Sequence, residues 1–290
     1  MRANHGTRWM RDLRVRLVAA LGALAITSVA AAAGGPPAMR AITLAPHITE
    51  LVFAAGAGDR IVATVSASDY PEAARSIVRI GDGLNISVER VLAAQPDVVL
   101  AWLPSAAAHT LAPTLSALNV PIIYSEPRTL ADVPAQIARF GKLFGTSQTA
   151  DPAAQALNKR IQTLRERYSS LPPVSVFIEI GNAPLYTIGA DPLLNDALHS
   201  CGGVNIYAES HVAAPQISAE SVLVRNPDVV IAPEGDGARL DQTRSRWLRL
   251  HLGAAESGHI YGIDPDALFR PGPRLIDATE ALCRYLDKAR

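Results

Sequence analysis

The chain has 290 residues, 49% of them hydrophobic and 19% charged, and no formal net charge. This composition excludes a disordered chain, and the lack of a basic stripe excludes a nucleic-acid binder. The length accommodates two lobes of ordinary domain size.

The N-terminus reads as an export signal. Arg2, Arg8, Arg11, Arg14 and Arg16 precede an apolar run from Leu17 to Val29, and Ala31-Ala32-Ala33 offers a small-residue cleavage site. This order is that of a secretory signal peptide over residues 1–33. A membrane anchor is the rival reading, but the thirteen apolar residues fall short of the ~20 that a spanning helix needs. No Cys stands near the cleavage site, which argues against a lipid anchor. Without residues 1–33, which hold five Arg and one Asp, 22 basic and 26 acidic residues remain, a net charge of −4.

Strand and helix signals then alternate. Ala41–Leu44 reads as a buried strand. A helix follows, opened by Thr49 and closed by Gly56. Ile61–Val65 is a strand, Ser87 caps a helix, Asp97–Trp102 is a strand, Ala106–Leu118 a helix and Pro121–Tyr124 a strand. Short unbroken apolar strands between helices predict a parallel sheet covered on both faces.

A long helix is predicted from Asp151 to Leu171. Pro152 suits its first turn, and Ala153, Leu157, Ile161, Leu164, Tyr168 and Leu171 form one apolar stripe before Pro172-Pro173 stops it. The pattern resumes with a strand at Ser175–Ile180, a helix at Pro192–Cys201, a helix from Ser218, a strand at Asp228–Pro233, a helix ending at Gly253, a strand at His259–Ile263 and a last helix from about Pro273. The expected fold class is therefore α/β, two Rossmann-like lobes with parallel sheets joined by one rigid helix. The boundaries are residues 34–148, a connector at 149–172, and 173–290. A stiff connector predicts small lobe movement rather than wide hinge closure.

One phrase occurs twice. Ser87–Trp102, SVERVLAAQPDVVLAW, and Ser218–Pro233, SAESVLVRNPDVVIAP, agree at nine of sixteen positions, 131 residues apart. Each copy is a helix–strand unit: Ser87 and Ser218 cap, and Pro-Asp turns into the buried strand. Glu89 and Glu220 fall in the first turn, where the helix dipole favours a carboxylate. That explanation accounts for the two Glu only in part.

Cys201 and Cys283 are the two cysteines of the chain. Export would place them where such a pair bridges, closing a loop of 82 residues. A zinc site is the weaker rival, since no CxxC spacing exists.

Several stretches together are similar to the periplasmic substrate-binding proteins of metal-chelate ABC importers, which carry iron–siderophores, haem and vitamin B12. They are Ile42–Gly58, Ser68–Pro71, the first copy of the repeat, Cys201–Tyr207, Pro215–Leu223 and Pro271–Cys283. The resemblance runs along nearly the whole chain after residue 33 and leans toward the corrinoid branch. It implies a ligand, cobalamin or another corrinoid, with a ferric siderophore or haem as the alternatives. No cofactor and no directly bound metal is implied, and the chain is expected to be a monomer. It further implies that Glu89 and Glu220 dock onto a permease dimer in the inner membrane; helix stabilisation alone is the competing account.

Ligands of open α/β lobes gather beyond the carboxyl ends of the strands. That rule selects Pro46, His47, Asp69, Tyr70 and Trp102 in the first lobe, and Gly181, Asn182, Tyr186, Pro233, Glu234, Asp266, Phe269 and Arg270 in the second; the resemblance adds Gly83. By the resemblance, Trp102 is a ligand-contacting aromatic. His47 either caps the metal or touches the ring edge, or is a polar loop residue. Tyr70 and Asp69 either contact ligand or shape the turn before Pro71. Arg270 either meets an anionic group or lies outside the cleft. The sequence departs from the corrinoid pattern at Ala67, Gly83, Ala214 and Ala267, where aromatic side chains are expected, so a wider and less stacked pocket is predicted. No GxSxG, HExxH, P-loop or GxGxxG motif occurs, so binding rather than catalysis is expected. An exported enzyme is the rival in kind.

Overall fold

The computed structural model describes residues 36–234 and 237–290, so the predicted signal peptide lies outside the described residues. The first sheet has four parallel strands, β1 (Ala41–Thr43), β2 (Ile61–Thr64), β3 (Val98–Ala101) and β4 (Ile122–Tyr124), in the order β2-β1-β3-β4. Its helices are α1 (Pro46–Ala54), α2 (Val88–Ala93) and α3 (Ala106–Ala117). Strands β1 and β3 are buried at every residue, as expected where both faces are covered.

Two helices follow. Helix α4 (Asp132–Phe144) turns at Gly145 into α5 (Ser147–Tyr168), the predicted connector. Gly145 sits at φ +70°, a left-handed cap that favours glycine. The connector starts four residues before the expected Asp151 and takes Pro152 inside it. At the sixth helical position Pro152 removes one internal N–H donor from the ladder. The apolar stripe is buried at Leu157, Ile161, Leu164 and Tyr168.

Sequence reading missed α4 altogether, although Val133, Ile137, Phe140 and Phe144 are spaced for one buried face. That face packs along α5. A Cβ added at Gly141 would stand 2.2 Å from the Ala150 Cβ, so the missing side chain lets the two helices approach.

The second sheet holds β5 (Val174–Asn182), β6 (Leu185–Thr187), β7 (Gly203–Asn205), β8 (Val229–Ala232) and β9 (Ile260–Gly262). Its order is β6-β5-β8-β9, with β7 beside the first half of β5. All pairs are parallel except the hairpin of β5 with β6, which sequence reading also missed. The helices are α6 (Pro192–Ser200), α7 (Ala219–Arg225), α8 (Ala238–Arg249), α9 (Gly253–Glu256), α10 (Pro265–Leu268) and α11 (Arg274–Asp287). The two α/β lobes share a core: one buried cluster runs from Ala41 and Ile48 through Phe140 and Ile161 to Val176, Leu282 and Leu286.

Arg160 of α5 donates to Glu280 (2.7 Å) and pairs with Asp277, both on α11. Arg165 of α5 pairs with Asp196 of α6 (2.9 Å), and Asp196 also accepts from the Leu130 N–H at 2.8 Å. The connector is thus braced on several sides. Cys201 and Cys283 form a disulfide that ties the end of α6 to α11, and both are fully buried. The zinc reading is therefore excluded.

Candidate functional site

The repeated phrase folds as the same unit twice. The Ser87 hydroxyl accepts from the Arg90 N–H (3.3 Å) and the Ser218 hydroxyl from the Ser221 N–H (3.2 Å). Glu89 and Glu220 stand in the first turns of α2 and α7, and both are exposed. Hydrogen bonds from its own N–H and from Ser218 hold the Glu220 carboxyl below the usual value. Neither Glu contributes to a core, so both are free to meet a partner.

The carboxyl ends of the strands converge between the lobes. A buried hydroxyl network fixes the first lobe's side: Thr43 donates to Thr64 at 2.7 Å, Thr64 to Ser68 at 2.8 Å, and Thr49 lies 2.7 Å from Thr43. Arg79 holds the same loop by donating to the Ser68 and Ala74 carbonyls. These contacts set the course of Asp69 and Tyr70.

Opposite them, the segment from Asp266 of α10 to Arg274 at the start of α11 supplies the second lobe's side. Arg270 pairs with Asp266 (2.7 Å), Asp69 (3.0 Å) and Glu50 (3.7 Å). Arg274 grips Glu50 with two hydrogen bonds of 2.9 and 2.6 Å, and its guanidinium lies 4.4 Å from the centre of the Tyr70 ring. Two carboxylates of the first lobe, Glu50 and Asp69, thus face two guanidinium groups across the lobe boundary, and Asp266 adds a third from the second lobe's own side. Partial burial opposes ionisation of Asp69, yet the hydrogen bond and charge of Arg270 keep its carboxyl below the ordinary value. Arg270 is therefore engaged by protein carboxylates rather than free for an anion.

Sequence reading missed Glu50 and Arg274. The available signal was Glu50 amid the apolar Ile48, Leu51, Val52 and Phe53 of a helix, since a carboxylate on a face that becomes buried needs a cation.

His47 follows Pro46 at the start of α1 and is buried. Its ring meets the Trp102 indole edge-on, with centroids 5.1 Å apart. Burial, followed by the charge of Arg270, lowers its pKa to about 3, so the imidazole is neutral. Nε2 has no hydrogen-bond partner among the described residues. His47 is thus a prop beneath Trp102, which remains 42% exposed.

Trp102 and Phe269 line a groove between the lobes, of about 110 Å³. The remaining expected residues lie apart from it. Gly83 turns beside the Leu44 carbonyl at φ +92°, a left-handed conformation that an aromatic residue would strain. Tyr186 is in β6, half-buried and bridged to Gln216. Ala67 and Ala214 are exposed, and Ala267 packs against the core. Glu234 follows β8 near buried Glu179, which accepts from the Trp247 Nε1 at 2.9 Å. Burial and the Glu179 charge raise the Glu234 carboxyl above its usual value. Among the described residues no cluster of His, Cys, Asp and Glu is arranged to hold a metal ion.

The sequence matches the periplasmic binding protein family over residues 42–267. The chain belongs to this family. It is 35% identical over 250 residues to the vitamin B12-binding protein of Vibrio cholerae, covering 86% of this chain and 90% of that one. The vitamin B12-binding protein of Yersinia pestis is 33% identical over 249 residues, 86% of each chain. The crystal structure of the periplasmic vitamin B12-binding protein BtuF of Vibrio cholerae superposes with a TM-score of 0.79 at 34% identity, covering 87% of this chain and 98% of that one. The periplasmic heme-binding protein HutB of the same organism has a TM-score of 0.74 at 19% identity, covering 86% and 98%, and shares the fold.

Proposed function

We propose that this protein captures vitamin B12 or a related corrinoid in the periplasm and delivers it to the permease of an ABC importer. The observation that carries the reading is the chemistry of the cleft. An exposed Trp102 offers an aromatic face, while the cations of the floor, Arg270 and Arg274, are already neutralised by Glu50, Asp69 and Asp266. A haem with propionates or a carboxylate siderophore needs free cations, and of Arg270, Arg274 and Arg128 at the cleft, Arg128 alone, 3.6 Å from Glu126, is left to supply one. A macrocycle rimmed by amides needs none. The likeness to vitamin B12-binding proteins along most of the chain supports the same ligand.

In this reading Trp102, Phe269 and Tyr70 provide contact surface, with Pro46 and His47 behind Trp102. Gly83 and Tyr186 border the cleft, and Asp266 and Arg270 shape its floor. The small side chains at Ala67 and Ala214 leave room for a ligand bulkier on one side. Residues 1–33 act as the export signal, and the protein works as a monomer.

The test is optical. Purified protein is mixed separately with cyanocobalamin, haemin and a ferric hydroxamate, then desalted. Cyanocobalamin absorbance is expected to stay with the protein at one equivalent. Retention of haemin or the hydroxamate, with cyanocobalamin lost, overturns the ligand assignment.

Glu89 and Glu220 are the docking contacts of the two lobes. Exposed ion pairs contribute about 0–1 kcal/mol each, so each Glu→Ala change is expected to weaken the complex with the permease by up to about fivefold. Affinity for the corrinoid should not move. Transport in reconstituted vesicles and ligand titration, run side by side, separate these effects. A variant with weakened ligand binding and intact transport would contradict the assignment.

A further inference from the structure

A strand at the edge of a sheet offers unpaired N–H and C=O groups to any other strand that approaches. Two outer edges here are covered by the chain itself. Thr64 of β2 donates its N–H to the Val78 carbonyl, and its carbonyl accepts from the Ile80 N–H. Thr187 of β6 donates to the Pro215 carbonyl, and Leu185 accepts from the Ile217 N–H. Strands β4 and β9 have no strand beyond them among the described residues.

The ladder of β8 with β9 leaves particular groups over. The Val230 N–H donates to the His259 carbonyl, and the Ile263 N–H to the Ala232 carbonyl. Alternate residues of a parallel pair face the neighbour, so His259, Tyr261 and Ile263 turn toward β8, while Ile260 and Gly262 turn outward. The outward Ile260 carbonyl is nevertheless occupied: it accepts from the Arg244 Nε of α8 at 3.2 Å. Strand β4 has the same device. Val99 donates to Pro121 and Ser125 to Ala101, which leaves Tyr124 facing outward, and its carbonyl accepts from the Arg139 Nη1 of α4 at 3.0 Å.

Beside the β9 edge lies an apolar groove of about 140 Å³, lined by Leu248, Ala255, Gly258 and Ile260, with Arg244 and Ser245 at its side. Leu248 is 52% exposed. A strand laid along β9 therefore finds both unpaired backbone groups and apolar contact. It also meets Arg244, whose side chain is 48% exposed and pairs with the exposed Asp241 at 3.2 Å. Enclosing that guanidinium in a strand–strand seam costs its hydration without supplying a new carboxylate. A second copy related by a twofold axis brings its own Arg244 to the same seam, so like charges meet there.

We propose that Arg244 closes the β9 edge against a second copy of this chain, an inference that rests on the monomeric state proposed above. Without the guanidinium, β9 pairs antiparallel with β9 of another copy, and Leu248 packs along the seam.

The experiment compares the wild type with Arg244→Ala and Arg249→Ala by size exclusion with light scattering. Arg249 is exposed on the same helix, so its loss removes the same charge and leaves the bond to Ile260 intact. Thermal melts verify folding. Wild type and Arg249→Ala are expected to stay monomeric up to ~1 mM, while Arg244→Ala becomes half dimeric near ~100 μM, at least about tenfold tighter self-association. In Arg244→Ala the N–H groups of Ile260 and Gly262 should exchange about fivefold more slowly at ~1 mM than at ~10 μM, because pairing covers them. A monomeric Arg244→Ala at ~1 mM, a dimer that leaves those two amides unchanged, or equal association of both variants overturns the edge closure. A wild type already dimeric at ~10 μM defeats the monomeric reading, and the edge closure with it.

Discussion

Arg274→Ala is expected to destabilise the protein by about 3–5 kcal/mol, the cost of leaving a buried carboxylate without its partner. Glu50 is 3% exposed and takes both of its short hydrogen bonds from Arg274. Arg270, at 3.7 Å, is the one other cation paired with it among the described residues and points the outcome toward the lower end. Urea unfolding measures the loss. A second variant separates burial from charge: replacing both partners, Glu50→Leu with Arg274→Met, should recover most of the stability, because apolar groups of similar volume replace a desolvated pair. The double variant should also loosen the lobes, seen as faster amide exchange at α1 and α11, because the pair spans the lobe boundary. A loss below about 1 kcal/mol for Arg274→Ala would show that solvent or Arg270 satisfies Glu50.

Removing the disulfide, by Cys201→Ala with Cys283→Ala, is expected to cost about 4 kcal/mol. Loop-closure entropy sets this figure, since the bridge closes 82 residues of chain. In a chain of this size the loss corresponds to a fall of about 10 °C in Tm. Both sulfurs are inaccessible, so a reductant should act only after partial unfolding, and the double variant is the cleaner measurement. An unchanged Tm would mean that residual structure in the unfolded chain already keeps these two segments together.

The interlobe ion cluster and the disulfide act on the same region, where α11 meets both lobes. The braces at Arg160 and Arg165 tie the connector to the second lobe, while the pairs of Glu50 with Arg274 and of Asp69 with Arg270 join the two lobes.

Much of this was written locally. The repeated helix–strand phrase, the stripe on α5 and the two cysteines all belong to patterns readable over a few turns of chain, because capping, dipole and burial preferences act between neighbours. Helix α4 was equally readable in Val133, Ile137, Phe140 and Phe144. The β5–β6 hairpin was harder: Asn182 and Pro184 mark a turn, but three residues of β6 carry no period of their own.

The sequence by itself determined two α/β lobes, a stiff connector, two echoed carboxylates at helix starts and a cysteine pair, since each rests on short-range periodicity or on counting. Tertiary structure alone decided that Arg270 is neutralised, that His47 lies beneath Trp102, and that Glu50 finds Arg274 from 224 residues away. The reason is that a charge's role depends on which charges surround it in space, and residues so far apart in the chain are brought together only when both lobes close on one core.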